Sequence, residues 1–171
     1  RSGLVANLAA GLFILPFVLF SAFAGKLADR YDKSIVIRGV KMAEVAIMLI
    51  ASAGFYMKSL PLLLASIFLM GCHSAFFGPA KYSLLPCVLS KDELTGGNGL
   101  LEMGTFLSIL GGTLVAGVLA AVTTNPLWLS ISLTSVALLG LASSFFVPAT
   151  GEAAPNLKLR FSIVGETLAT L

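Results

Sequence analysis

Met103-Gly104-Thr105-Phe106-Leu107-Ser108-Ile109-Leu110-Gly111-Gly112-Thr113-Leu114-Val115-Ala116-Gly117-Val118-Leu119-Ala120-Ala121-Val122-Thr123-Thr124-Asn125-Pro126 opens a run free of Asp, Glu, Lys and Arg that ends only at residue 151. A single membrane crossing takes about 20 apolar residues, and residues 103–151 number 49. Asn125-Pro126 is a turn signal and divides the run in two. Working outward, residues 2–25 and 59–80 are also uncharged, and residues 39–57 are interrupted only by Lys41 and Glu44. Five transmembrane helices are therefore expected, at about 3–25, 42–58, 60–80, 99–122 and 127–148. Helices are the expected element because each satisfies its own backbone in hydrocarbon. The fold class is all-α, a polytopic helix bundle.

Composition excludes the main competitors. Charged residues make up 11 % of the chain, against about a quarter in a soluble domain. That is too few to cover a globule, so a soluble enzyme or a nucleic-acid binder is not expected. The pI near 9 rests on a net charge of only +3, with no basic patch interleaved with aromatics. Cys72 and Cys87 have no metal spacing and form no disulfide framework. No metal, cofactor or catalytic residue is expected.

Orientation follows from the bases. Lys26, Arg30, Lys33, Arg38, Lys41, Lys81, Lys91, Lys158 and Arg160 fall on one side of five crossings, and only Arg1 and Lys58 on the other. The first side is placed in the cytoplasm, with the N-terminus outside and the C-terminus inside. Ala22-Phe23-Ala24 imitates a signal-peptide cleavage site, but the uncharged run before it is too long and Lys26 lies directly beyond. The internal Lys91-Asp92-Glu93-Leu94 is not a C-terminal retention signal. The chain opens at Arg1 and enters a helix at once, so an earlier segment is expected.

Two stretches carry a resemblance. Gly25-Lys26-Leu27-Ala28-Asp29-Arg30-Tyr31-Asp32-Lys33 resembles the G-x-L-a-D-r-x-G-r-k loop between helices two and three of the major facilitator superfamily. Gly25, Leu27, Ala28, Asp29, Arg30 and Lys33 match; Asp32 replaces the second glycine and Ser34 a common base. Gly25 suits a tight exit from the first helix, and Asp29 suits a base partner or a helix cap. The second stretch is Gly78-Pro79-Ala80-Lys81-Tyr82-Ser83-Leu84-Leu85-Pro86, followed by Asn98-Gly99-Leu100-Leu101-Glu102. It resembles the helix-four to helix-five region of the bacterial lysophospholipid transporter family, which includes fusions to an acyltransferase. The resemblance implies helices two to six of a twelve-helix transporter. Residues 1–148 would be a partial N-terminal bundle, and helix one and the C-terminal half, both absent here, its missing partners.

The implied function is lysophospholipid import across the bacterial inner membrane, with membrane lipids as surroundings. The alternatives are a transporter of another small solute, the membrane domain of a bifunctional acyltransferase, and a structural half-domain. No H-x4-D acyltransferase motif follows His73, because position 78 is Gly78.

Lys81 follows an uncharged stretch equal to about 33 Å of helix, which places it near the cytoplasmic surface. It reads as a snorkelling anchor or, by the resemblance, as the ammonium that binds a lipid phosphate. Glu102 is an acid in an apolar stretch and needs a partner. Lys81 is the expected one, as a structural pair or a gating and coupling acid. Asn98 reads as the N-cap of the fourth span or as a polar site residue. Gly25, Asp29, Arg30 and Lys33 make the expected conformational loop.

Lys41 and Glu44 are expected to pair locally. His73 reads as a hydrogen-bonded structural histidine, with a proton relay as the alternative. Gly104, Ser108, Gly112, Ala116 and Ala120 form a stripe of small residues for close helix approach. Ser90 and Glu93 have capping-box spacing, and a short helix ended by Gly96-Gly97 is expected there. Leu157, Phe161, Val164, Leu168 and Leu171, with Lys158 and Arg160, predict a cytoplasmic amphipathic linker over 149–171.

Overall fold

The computed structural model describes residues 2–151, and the expected amphipathic helix around Leu157 to Leu171 lies outside them. Five helices follow in order: α1 (Ser2–Arg30), α2 (Lys33–Tyr56), α3 (Leu60–Val88), α4 (Leu94–Val122) and α5 (Pro126–Ser144). There is no strand among the described residues. Four helices, α1, α3, α4 and α5, are long and apolar enough to cross a membrane. α2 is 24 residues long and concentrates Lys33, Arg38, Lys41 and Glu44 in its first half.

The helices run past the expected spans where the sequence turns polar. α1 does not leave its axis at Gly25; it continues through Asp29 to Arg30. Leu27 and Ala28 explain this, because they pack with Val36, Ile37 and Ala80 in one buried cluster. A connection of only Tyr31 and Asp32 remains. Asp32, not Asp29, is the cap: its Oδ1 accepts from the Ser34 amide at 2.8 Å and the Ser34 hydroxyl at 2.7 Å. α3 likewise runs through Pro79 and Pro86 to Val88. The short helix expected near Ser90 is absent. α4 begins at Leu94 and passes straight through Gly96-Gly97.

Packing is uneven. α3 lies along α1 and α2, and α2 lies along α5, whereas α4 touches α3 and α5 only narrowly. No residue of α4 is buried. The closest approach is between α1 and α3. A Cβ built on Gly71 would lie 2.3 Å from the Phe13 carbonyl oxygen and 3.0 Å from Pro16 Cγ. Two Schellman-type bonds close α2, from the Ser59 amide to Gly54 O and from Lys58 to Phe55 O. Asn125 caps α5, its Oδ1 accepting from the Leu127 amide at 3.0 Å, with Pro126 as first helical residue. This is the break expected in the long uncharged run.

Beyond α5 the chain is tied to the start of α2. Arg38 donates from Nη2 to Val147 O at 3.2 Å and from Nε to Ser144 O at 3.5 Å. Asp32 Oδ2 accepts from the amides of Thr150 and Gly151, at 2.9 and 2.7 Å. The Ser34 hydroxyl and these amides hold the Asp32 carboxyl down at about 2. Its folded value lies below the ordinary 3.8. Its contribution to stability is therefore complete above about pH 4 and disappears as the pH falls through 2. The expected result is a melting midpoint insensitive to this group from pH 5 to 8. Asp32→Ala removes the cap and the tie together, lowers the midpoint across that range, and increases proteolytic cleavage near Val147.

Candidate functional site at the α3–α4 contact

Apolar helices leave few places for a charge, so polar side chains inside the bundle locate the chemistry. Lys81, on α3, directs Nζ to the Thr105 hydroxyl of α4 at 3.1 Å. The same Nζ lies 4.9 Å from the centroid of the Tyr82 ring. Glu102, one turn before Thr105 on α4, accepts a hydrogen bond from the Tyr82 hydroxyl. The structure thus brings Lys81 and Glu102 to the same helix contact and gives each a different partner. No carboxylate among the described residues is within ion-pair distance of Lys81. Its ammonium lies beside two hydroxyl-bearing side chains, an arrangement suited to a phosphate oxygen.

Tyr82 and Thr105 are the residues that sequence reasoning missed. Tyr82 is the neighbour of Lys81 in the P-A-K-Y element, and Thr105 shares a helix face with Glu102 at i, i+3 spacing. Asn98 does not cap α4, because the helix has already begun at Leu94. It stands exposed in the second turn. Glu93 occupies the cap position, and its Oε2 accepts from the Ser90 amide and hydroxyl at 3.0 and 2.7 Å. Those bonds hold the Glu93 carboxyl below its ordinary range.

The motif residues of the α1–α2 connection divide by environment. Gly25 has open space around it. Asp29 is exposed, whereas Lys33 is 2 % exposed. The Arg30 guanidinium stacks over the Tyr31 ring at 5.3 Å. The small-residue stripe of α4 is not packed under a helix. Gly104, Ser108 and Ala120 are exposed. Gly112 and Ala116 line a cleft of about 400 Å³ shared with α2 and α5. The other wall of that cleft includes Glu44, Met48 and Ala137.

The expected Lys41–Glu44 pair is present at 2.7 Å. His73 departs from expectation: it is buried, and neither ring nitrogen has a hydrogen-bond partner. Among the described residues no cluster of His, Cys, Asp and Glu is placed to hold a metal.

Comparison with known proteins agrees with this architecture. The family model of the Major Facilitator Superfamily matches residues 2–165. The relatives found include proteins named lysophospholipid transporter LplT from Salmonella newport (strain SL254), Salmonella heidelberg (strain SL476) and Salmonella agona (strain SL483). Each is 29 % identical over 151 residues, which cover 88 % of this chain. The chain spans only 36 % of the length of those relatives. No solved structure matches it. Five helices in this order, four of them long and apolar enough to cross a membrane, the Gly25–Lys33 element and the match over nearly the whole sequence lead to one conclusion: the chain belongs to the major facilitator superfamily.

Proposed function

We propose that the intact protein carries lysophospholipids across the bacterial inner membrane. Helices α1–α5 would serve as helices two to six of its N-terminal half. That half rocks against the C-terminal half about a central cavity. The N-terminus of this chain faces outside and its C-terminal end the cytoplasm, in keeping with the distribution of bases. The observation that carries the reading is Lys81. It is an ammonium with no carboxylate partner among the described residues, set beside Thr105 and Tyr82 where two apolar helices meet. One end of that contact suits an anionic headgroup and the helix surfaces beyond it suit an acyl chain. The similarity to proteins named lysophospholipid transporters supports the same substrate class.

The test is a substrate panel with the intact protein in proteoliposomes. Labelled lysophosphatidylethanolamine and lysophosphatidylglycerol are compared with a free fatty acid and with water-soluble sugars and amino acids. Lysophospholipid crossing well above protein-free vesicles is the expected result. Movement of a water-soluble solute with no lipid crossing overturns the reading.

A further inference from the structure

His73 sits on α3 with its imidazole side chain 6 % exposed. Its ring stacks on Phe77 at 5.7 Å and 14°. Nε2 lies 3.4 Å from Glu44 Oε2 of α2, without hydrogen-bond alignment, and Nδ1 is equally unpartnered. The same Glu44 oxygen accepts from Lys41 Nζ at 2.7 Å. Lys41 in turn lies 4.5 Å from the Phe77 centroid and passes close to the backbone of Gly140 on α5. One aromatic ring therefore holds both bases against one acid.

An unpaired buried imidazole costs stability, and a purely structural site has a cheaper solution in any apolar residue. Charge counting shows what the arrangement permits. With His73 neutral, Lys41 and Glu44 balance; with His73 protonated, the cluster carries one net positive charge. A proton on Nε2 turns the loose 3.4 Å contact into a charge-assisted hydrogen bond, which closes to about 2.7–2.9 Å. α2 and α3 then draw together at this level.

Access is provided by the α2–α4–α5 cleft, on whose wall Glu44 stands. Among the described residues no other charged group faces His73. α5 has none, and α4 has only Glu102, which bonds to Tyr82. Lys81 lies two turns along α3, and the charged residues of α1 (Lys26, Asp29, Arg30) gather at its far end.

We propose that His73 and Glu44 form a proton-binding site inside the bundle. It binds and releases one proton, with no covalent change, and so couples the α2–α3 contact to the pH on the side that the cleft faces. Coupling to transport rests on the function proposed above; the proton site itself does not.

Two measurements on the intact protein test it. In the first, 15N NMR follows the imidazole of His73, assigned with His73→Gln, in substrate-free vesicles. An ordinary imidazole titrates between pH 5 and 8. The expected result is a one-proton protonation step whose midpoint falls when the neighbouring carboxylate is removed in Glu44→Gln. In the second, lysophospholipid uptake is followed from pH 5.5 to 8. The expected result is a change of about threefold or more in wild type and a flat profile in His73→Gln. A single neutral imidazole form across the window overturns the proposal, and so does a midpoint indifferent to Glu44→Gln. An unchanged uptake profile in His73→Gln overturns the coupling. Absence of uptake at every pH overturns the transport reading, while the titration still decides the proton site.

Discussion

Gly71→Leu is expected to separate α1 from α3 and leave little folded protein. Even the first carbon of a side chain at this position would lie 2.3 Å from the Phe13 carbonyl oxygen, a backbone atom that cannot rotate away. Pro16 Cγ is next, at 3.0 Å, and Pro16 is itself fully buried. Gly71→Ala therefore forces the helices apart and costs about 2–3 kcal/mol, at the upper end of ordinary overpacking. Gly111 on α4 is the control, because a Cβ there meets open space. Gly111→Ala exchanges glycine for a better helix former and leaves stability unchanged or raises it by about 0.5–1 kcal/mol. Midpoints of detergent-induced unfolding for the two alanine variants check the contrast. Equal midpoints would show that the α1–α3 crossing is looser than its geometry.

On the function proposed above, Lys81→Ala in the intact protein is expected to lower lysophospholipid uptake by about 10- to 100-fold. A charge-assisted hydrogen bond is worth about 1.5–3 kcal/mol, and about 1.4 kcal/mol is a factor of ten. Lys81→Arg keeps the charge and loses less, because a guanidinium also binds phosphate but has a different reach. Thr105→Val removes one neighbour of Lys81 and has a smaller effect, mainly on KM. Glu102→Gln keeps an acceptor for Tyr82 and stays within a few-fold of wild type. Initial rates are compared at matched protein levels in the same vesicles. Uptake by Lys81→Ala equal to wild type would remove the headgroup role from this lysine.

The spans were legible because charge is expelled from hydrocarbon, so the gaps between islands of charge mark the helices. Their ends beside the charged connections were not. Hydropathy falls at Lys26, but the helix continues to Arg30, because Ala28 is packed against Ala80 and a helix need not stop where the oil does. Asn98 was misplaced for a related reason. Gly96-Gly97 read as a break, whereas the structure carries α4 through both glycines, with the Leu89 side chain against Gly97.

Lys81 and Glu102 meet at the expected helix contact but do not pair with each other: Lys81 bonds to Thr105 and Glu102 to Tyr82. Each charge was readable alone; the register between two helices is set by packing and has no signature along one chain. Hence Thr105 and Tyr82 emerged only in three dimensions. His73 and Glu44 are the clearest case. They are 29 positions apart, and each had a satisfactory local explanation that hid the other.

The tie between Asp32 and the segment after α5 has a mechanical consequence. Thr150 and Gly151 hang from the carboxylate that caps α2, and Val147 hangs from Arg38 nearly two turns further on. Tension arriving through residues beyond Gly151 is thus delivered to the first turns of α2 before it reaches α5. α2 is also the helix that carries Lys41 and Glu44. A tug on the tail is felt first at the foot of the helix that holds this ion pair.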